Sequence, residues 1–251
     1  ISAGAEAAFP FGGLLVQDVA LIGMGALHLA VFGEVEALLG AAVRFNLQFR
    51  HGGKLLCQNL FFGFFLCILV LAAGQGKRMG SQIPKQFLLL RDFPVLYYSL
   101  KCFQDCEWIQ DIILVTNEES VEYVKEQIVD RYFLTKTRRI VAGGEERYDS
   151  VYAGLMECEG TDYVFVHDGA RPLITREILE RVFDGVKEYG ACIAGMPSKD
   201  TIKISDEGGC VLSTPPRDRV WNVQTPQAFS YSVLKNAHDS IREKGMKGIT
   251  D

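Results

Sequence analysis

A short apolar run that ends in a glycine-rich loop constrains this chain more than any other stretch. Residues 69–73 read LVLAA, and Gly74 and Gly76 follow at once. Such a run predicts a buried strand that leads into a tight loop. Small residues leave the backbone N–H groups of the loop unshielded, so an anion can approach them closely.

The cations after this loop indicate which anion it binds. Lys77 and Arg78 continue the loop, and Lys85 comes directly after Pro84, whose ring restricts the backbone. The glycines alone are equally typical of an ordinary turn with surface lysines. The clustering of positive charge favours a polyphosphate.

Two familiar phosphate loops do not fit this stretch. A Walker A loop needs Ser or Thr after its Gly-Lys pair, where this chain has Arg78. A dinucleotide-binding loop needs a third glycine, where this chain has Met79. A dinucleotide-dependent oxidoreductase is therefore disfavoured.

Composition excludes several other classes of protein. The formal net charge is −5, and no basic stripe is present, which argues against nucleic-acid binding. The apolar run at residues 60–73 is too short to cross a bilayer comfortably, so no membrane partner is expected. The seven cysteines form no C-x-x-C pair, so we expect no zinc site. Reduced thiols are the norm in the cytoplasm, where we expect this protein to act.

Strands and helices are predicted to alternate from about Cys67 onward. The predicted strands are residues 67–71, 112–116, 138–142, 163–167 and 191–196. The predicted helices lie near residues 95–104, 119–130, 149–158, 175–189 and 231–244. This alternation predicts an α/β fold, with a mostly parallel, Rossmann-like sheet and helices on both faces. Ligands of such sheets bind beyond the carboxyl ends of the strands, where the phosphate loop and Asp168 both fall.

Residues 197–220, named the arm here, break this alternation. The runs at 201–204 and 210–213 flank the turn sequence Asp206-Glu207-Gly208-Gly209, which predicts a β-hairpin. Because a two-stranded hairpin is marginally stable alone, we expect it to pack on another surface.

Five sequence strings together resemble one enzyme family. They are AAGQGKRM with the nearby PKQ at 72–86, GGEERYDSV at 143–151, HDGARP at 167–172, KDTIK at 199–203 and WNVQTPQ at 221–227. From about Cys67 onward, their order and spacing are similar to those of the 2-C-methyl-D-erythritol 4-phosphate cytidylyltransferases. The resemblance implies a nucleotidyltransferase fold and transfer of a cytidylyl group from CTP to methylerythritol phosphate, in non-mevalonate isoprenoid biosynthesis.

The resemblance also implies a role for individual residues. Arg78, Lys85 and Arg217 would be the catalytic cations, and Asp168 would hold a magnesium ion. CTP would be bound by Leu71, Ala72, Ala73, Gly74, Gly76, Lys85, Gly144, Glu145, Ser150, Asp168 and Gly169. Methylerythritol phosphate would be bound by Arg171, Thr201, Arg217 and Thr225. Thr201 and Arg217 would reach in from the arm of a second subunit, which implies a homodimer. His167 is expected to be a packed, hydrogen-bonded residue at a strand end.

Both ends of the chain lie outside what these motifs explain. Residues 1–66 do not share the resemblance and have no assigned role, although residues 21–31 could form an apolar helix weakened by glycines. The resemblance implies that the family continues beyond Asp251 with a last strand and helix, and that this strand carries another lysine. We therefore expect this chain alone to be weakly active at most.

Two alternatives remain open at this point. A ribitol 5-phosphate cytidylyltransferase would share the fold and the CTP site. A non-catalytic nucleotide-binding module would keep the pocket without the reaction.

Overall fold

The computed structural model describes residues 20–23, 63–74 and 83–246. Within these ranges, seven strands form one sheet in the order β1-β8-β11-β7-β2-β5-β6. These strands are Ala20–Gly23 (β1), Leu66–Leu71 (β2), Asp111–Thr116 (β5), Thr137–Ala142 (β6), Tyr163–Asp168 (β7), Ala191–Pro197 (β8) and Trp221–Ser230 (β11). Two small hairpins pair Leu89–Leu90 (β3) with Phe93–Pro94 (β4), and Ile204–Ser205 (β9) with Val211–Ser213 (β10).

The centre of the sheet is parallel, as predicted. Strand β2 pairs in parallel with β5 and β7, and β5 pairs in parallel with β6. The apolar run of β2 is buried at five of its six positions. Strands that are covered on both faces need such continuous apolar sequence, which explains why the sequence pattern located them within one or two residues.

Five helical segments follow strands of the sheet or its hairpins, close to the predicted positions. They are Val95–Asp105 (α1), Val121–Val124 (α2), Arg147–Met156 (α3), Arg176–Tyr189 (α4) and Tyr231–Glu243 (α5). The region of α2 is irregular, because a 3-10 turn over Glu118–Ser120 precedes it and a π-helical turn over Lys125–Asp130 follows. Thr175 caps α4 by accepting a hydrogen bond from the Ile178 N–H at 3.4 Å.

Alternate residues of each central strand face opposite layers of helices. Leu66, Ile68 and Val70 join a core cluster with residues of α1 and α4. Cys67 and Leu69 join a second cluster with residues of α3 and α5. The helices therefore cover both faces of the sheet, and the predicted α/β fold class is confirmed.

Strand β11 was not predicted from the sequence. It lies between β7 and β8 and pairs antiparallel with both, which makes the sheet mixed. Two glutamines, a threonine and a proline interrupt its apolar pattern at residues 224–227, so this stretch carries no clear strand pattern. The pairing with β8 shifts register between Val223 and Gln227.

Strand β1 lies at the edge of the sheet, antiparallel to β8. The predicted apolar helix at 21–31 therefore does not begin at its expected start, because residues 20–23 are extended. Residues 24–31 lie outside the described ranges.

The predicted hairpin of the arm is present but shorter than expected. Its strands β9 and β10 leave Thr201, Ile202 and Lys203 outside the ladder, which corrects the predicted run at 201–204. Gly209 closes the turn with a φ of +83°, in the left-handed region that favours glycine. The residues of both strands are exposed, so nothing in the described part of the chain covers them.

Across the described ranges, no helix has the length and apolar character needed to cross a membrane.

Candidate nucleotide-binding site

The carboxyl ends of the parallel strands form one edge, and three backbone hydrogen bonds align it. The Ala72 N–H donates to the Val115 carbonyl at 2.7 Å, and the Gly169 N–H donates to the Leu71 carbonyl at 2.8 Å. The Gly143 N–H donates to the Thr116 carbonyl at 2.7 Å. Loops from separate parts of the sequence therefore meet at this edge.

A pocket of about 490 Å³ opens at this edge. Its lining includes predicted site residues from all three loops: Leu71, Ala72, Ala73, Gly74, Lys85, Gly144, Glu145, Ser150, Asp168 and Arg171. Its volume falls in the range of small-molecule sites. The binding roles of these residues remain predictions, and Gly76 and Arg78 lie outside the described residues.

Gln86 holds the first loop in place. Its side chain is buried, and its amide donates hydrogen bonds to the carbonyls of Ala72 at 2.5 Å and Gly74 at 3.0 Å. Two loop carbonyls are thereby satisfied by protein and drawn toward Gln86. The neighbouring Lys85 is exposed and lines the pocket. Gln86 had no predicted role, because the string PKQ does not show that the glutamine side chain is buried.

The turn at residues 143–150 is packed too tightly for side chains at its glycines. A Cβ added at Gly144 would lie 2.4 Å from Asp149 Cβ, and one at Gly143 would lie 2.6 Å from Ser150 Oγ. The buried Ser150 Oγ accepts a hydrogen bond from the Gly144 N–H at 3.2 Å. Ser150, which was predicted to bind CTP, therefore also fixes the shape of this turn.

Asp168 ends β7 between two guanidinium groups. Arg171 Nε donates to Oδ2 at 2.9 Å, and Arg147 Nη2 donates to Oδ1 at 3.3 Å. Burial alone would raise the pKa of this carboxyl, but the hydrogen bond from Arg171 and the charges of Arg147 and Arg171 outweigh burial and lower it. Asp168 is therefore a carboxylate at neutral pH.

The single carboxylate of Asp168 fits a magnesium ion that is also bound by a substrate. No group of three or more acidic, cysteine or histidine residues that could hold a metal occurs in the described ranges. Magnesium is commonly bound by one or two carboxylates together with substrate phosphates. Asp168, which is ionised and lines the pocket, meets that requirement.

His167 is buried one residue before this carboxylate and forms part of a hydrogen-bond chain. Its Nε2 lies 3.2 Å from the Arg171 carbonyl, and its Nδ1 lies 3.2 Å from Thr225 Oγ1. Burial lowers the pKa of His167 to about 4, so the ring is neutral at pH 7. Since a carbonyl only accepts, Nε2 carries the proton and Nδ1 accepts from the Thr225 hydroxyl. That hydroxyl in turn accepts from the Asp168 N–H at 3.2 Å.

Four other predicted site residues lie outside the pocket lining. The hydroxyl of Thr225 is already hydrogen-bonded to His167 Nδ1 and to the Asp168 N–H. Gly169 is packed against α1, since a Cβ there would lie 2.7 Å from Leu96 Cδ1. Thr201 and Arg217 belong to the arm and are exposed, and Arg217 Nη1 donates to the Lys199 carbonyl at 3.3 Å.

Arg147 is a pocket residue without a predicted role. It lies in the first turn of α3, where a cation opposes the helix dipole. Its Nη2 donates to the buried Gln227 Oε1 at 2.9 Å as well as to Asp168. An arginine at an electrostatically unfavourable helix position was the one sequence signal that could have indicated a special role.

Comparison with known proteins gives a consistent result. The family model described as 2-C-methyl-D-erythritol 4-phosphate cytidylyltransferase matches residues 66–251. A protein of that name from Lachnoclostridium phytofermentans is 50% identical over 183 residues, which cover 73% of this chain and 78% of the relative. A protein of the same name from Lachnospira eligens is 46% identical over 184 residues, covering 73% and 81% of the two chains.

Solved structures agree with these sequence matches. The 4-diphosphocytidyl-2C-methyl-D-erythritol synthase of Anaerococcus prevotii superposes with a TM-score of 0.66 at 29% identity, covering 75% of this chain and 81% of that one. The 2-C-methyl-D-erythritol 4-phosphate cytidylyltransferase of Francisella tularensis gives a TM-score of 0.59 at 27% identity, covering 74% and 82%. With its parallel strands, loop order and pocket all in place, the chain belongs to the 2-C-methyl-D-erythritol 4-phosphate cytidylyltransferase family.

Proposed function

We propose that this protein transfers a cytidylyl group from CTP to 2-C-methyl-D-erythritol 4-phosphate and releases pyrophosphate. The observation that carries this proposal is the convergence of the phosphate loop, Lys85, the turn at 143–150 and Asp168 on one pocket. The family match supports the same reaction. The named relatives also favour methylerythritol phosphate over ribitol 5-phosphate as the acceptor.

The chemistry requires positioning and positive charge more than a proton acceptor. A phosphate oxygen of the acceptor attacks the α-phosphorus of CTP, a new P–O bond forms, and the bond to pyrophosphate breaks. A phosphate monoester has a second pKa of about 6, so it is already largely ionised at neutral pH. The protein must hold two anions together and stabilise the charge that develops on the α-phosphoryl oxygens.

The pocket offers groups suited to each part of that task. The backbone at residues 72–74 faces the triphosphate, and Lys85 supplies a full charge beside it. The turn containing Gly144 and Ser150 receives the cytidine. Arg171, which bonds to Asp168 and lines the pocket, would bind the acceptor phosphate.

Asp168 would hold a magnesium ion together with the phosphates of CTP. An ion there supplies charge neutralisation across the phosphates. The support is the ionised carboxylate that lines the pocket.

The protein acts as a homodimer through the arm in this proposal. Ile204, Val211 and Leu212 are 51%, 58% and 66% exposed on the hairpin, where a partner would cover them. Thr201 and Arg217 lie outside the pocket of their own chain, so a second subunit would bring them to a pocket. A cytoplasmic location fits the substrate CTP, and the described cysteines are free thiols.

The proposal is tested by incubating the full-length protein with magnesium, CTP and either acceptor. Pyrophosphate release and the ³¹P spectrum of the product report the reaction, and Asp168→Asn is the inactive control. We expect a diphosphate-linked cytidine product with methylerythritol phosphate. Preference for ribitol 5-phosphate would reassign the acceptor, and nucleotide binding without turnover would favour the non-catalytic alternative.

A further inference from the structure

The segment Gln224-Thr225-Pro226-Gln227, named the QTPQ segment here, contacts the surroundings of Asp168 at three points. Thr225 accepts from the Asp168 N–H at 3.2 Å. Gln224 Oε1 accepts from Arg171 Nη1, and Gln227 Oε1 accepts from Arg147 Nη2 at 2.9 Å. Each arginine that contacts the carboxylate is therefore also held by a glutamine of β11.

The path of β11 explains how one segment reaches all three points. The strand pairs with β7 from Gln227 onward, where Gln227 is opposite Val166. Its pairing with β8 is interrupted between Val223 and Gln227. Over this interruption, Thr225 bonds to the end of β7 in place of a regular ladder, and the two glutamines on either side of it turn to Arg171 and Arg147.

The carboxylate of Asp168 keeps free acceptor capacity in this arrangement. Each carboxylate oxygen has two lone pairs, and the two arginine contacts use one on each oxygen. A metal ion can therefore bind Asp168 while both arginines stay in place. Such outer hydrogen bonds orient a metal-binding carboxylate and commonly matter to affinity.

We infer that Arg147, fixed by Gln227, is a positioning residue that orients Asp168 for the metal–nucleotide complex. This inference rests on the proposed role of Asp168 in the reaction. Gln227 is 5% exposed and does not line the pocket that contains Asp168, whereas Arg147 does, so Gln227 acts on the pocket through Arg147. Neither Arg147 nor Gln227 is among the residues that the family resemblance predicts to bind CTP or methylerythritol phosphate.

The test compares two dissociation constants measured by calorimetry on the full chain. One is for CTP in EDTA, and the other is for CTP with saturating Mn²⁺. Their ratio reports how much the metal contributes through Asp168. In Arg147→Gln we expect that ratio to fall by about 10- to 100-fold, while metal-free CTP binding changes little. If Arg147 only contacted phosphate, the substitution would instead raise both dissociation constants by the same factor. That result would overturn the inference.

Three further variants make the result specific. Arg147→Lys keeps the charge but not the forked donors, and it should lose the metal contribution like Arg147→Gln; wild-type behaviour would overturn the inference. Gln227→Met should weaken the metal contribution in the wild-type background and add nothing to Arg147→Gln, since the two residues act as one unit. Additive losses would contradict that unit. Arg139→Gln, which removes an exposed arginine paired with Glu157 at 3.5 Å, should leave both constants unchanged.

The design also separates this inference from the proposed function. If Mn²⁺ does not strengthen CTP binding to the wild type, or still strengthens it in Asp168→Asn, the metal role of Asp168 is wrong and the inference fails with it. If the wild type and Asp168→Asn behave as proposed while Arg147→Gln matches the wild type, only the positioning role is wrong. Far-ultraviolet circular dichroism checks that each variant folds.

Discussion

The pocket and the arm carry predicted site residues in opposite physical settings. Around the pocket, the predicted residue Ser150 is buried, as are its neighbours Gln86 and His167, and each of the three makes hydrogen bonds within the chain. In the arm, Thr201 and Arg217 are exposed, and the hairpin between them is covered by nothing in the described ranges. The comparison teaches that the described chain itself holds the surroundings of the pocket in place, whereas it provides no packing for the hairpin of the arm.

The largest expected effect tests the preorganised pocket directly. Lys85→Ala should lower turnover by about two to four orders of magnitude, because one fixed charge at a phosphoryl centre is lost. CTP affinity should change less, since the backbone of the loop remains. Steady-state kinetics with CTP as the varied substrate separate the two effects. Lys101→Ala, which removes an exposed lysine paired with Asp105 at 2.6 Å, is the matched control; equal losses in both variants would remove the special role of Lys85.

The second prediction tests whether the arm completes the site of a partner. Lys85→Ala and Arg217→Ala should each be nearly inactive alone. After subunit exchange in an equal mixture, about half of the dimers are mixed and each has one intact site, so activity should return to about a quarter of the wild-type value. Activity that stays at the level of the two variants would place Arg217 in the pocket of its own chain or outside the reaction.

The third prediction uses pH to probe the buried side of the pocket. His167 has a pKa of about 4 in the folded protein against 6.5 ordinarily, so the unfolded chain binds more protons between these values. The contribution of His167 to the free energy of unfolding is therefore fully present above pH 6.5. It is lost as the pH falls to 4, which lowers the free energy of unfolding by about 3 kcal/mol at most.

Urea unfolding at pH 7 and pH 5 checks this prediction, with His167→Asn as the reference. His238, whose pKa burial also lowers, contributes in the same direction in both proteins, so the difference between them isolates His167. The pKa of Asp168 is lowered from its ordinary value of 3.8, so this carboxyl does not titrate between pH 5 and pH 7. Identical pH dependence in the two proteins would show that His167 is not buried as a neutral ring.

The smallest expected effect concerns the loop that Gln86 fastens. Gln86→Leu leaves the carbonyls of Ala72 and Gly74 without their donor, which should cost about 1–3 kcal/mol of stability. The KM for CTP should rise because the loop loses its fixed shape, while the proposed dimer should stay intact. Chemical denaturation and sedimentation measure the two properties separately. A dimer that dissociates in Gln86→Leu would mean that the pocket and the arm are not independent.

The sequence predicted those features whose physical cause is local. Continuous apolar runs located β2, β5, β7 and β8, since these strands are covered on both faces. Glycines and cations located the phosphate loop. The sequence did not predict β11, because the polar QTPQ segment, which bonds to Asp168 and to its two arginines, interrupts the apolar pattern.

Polar residues that act through other residues were the least predictable. Gln86 and Arg147 stand inside family strings, yet only the fold shows that one holds a loop and the other contacts Asp168. Gly169 had a predicted ligand role, and the structure adds a packing reason for it, because α1 leaves no space for a side chain. Such contacts join residues far apart in sequence, so no local pattern records them.

The pairing of β8 with β11 has a consequence for how this protein can change over time. Pro197 and Trp221 are opposite each other in the ladder, and the Ser198 N–H donates to the Val220 carbonyl at 2.8 Å. The chain thus leaves the sheet and returns to it at one place, as a long hairpin connection does. Insertions and deletions between these two points leave the register of the core unchanged. Natural selection can therefore lengthen or shorten the turn of the arm without changing the strand register that supports the pocket.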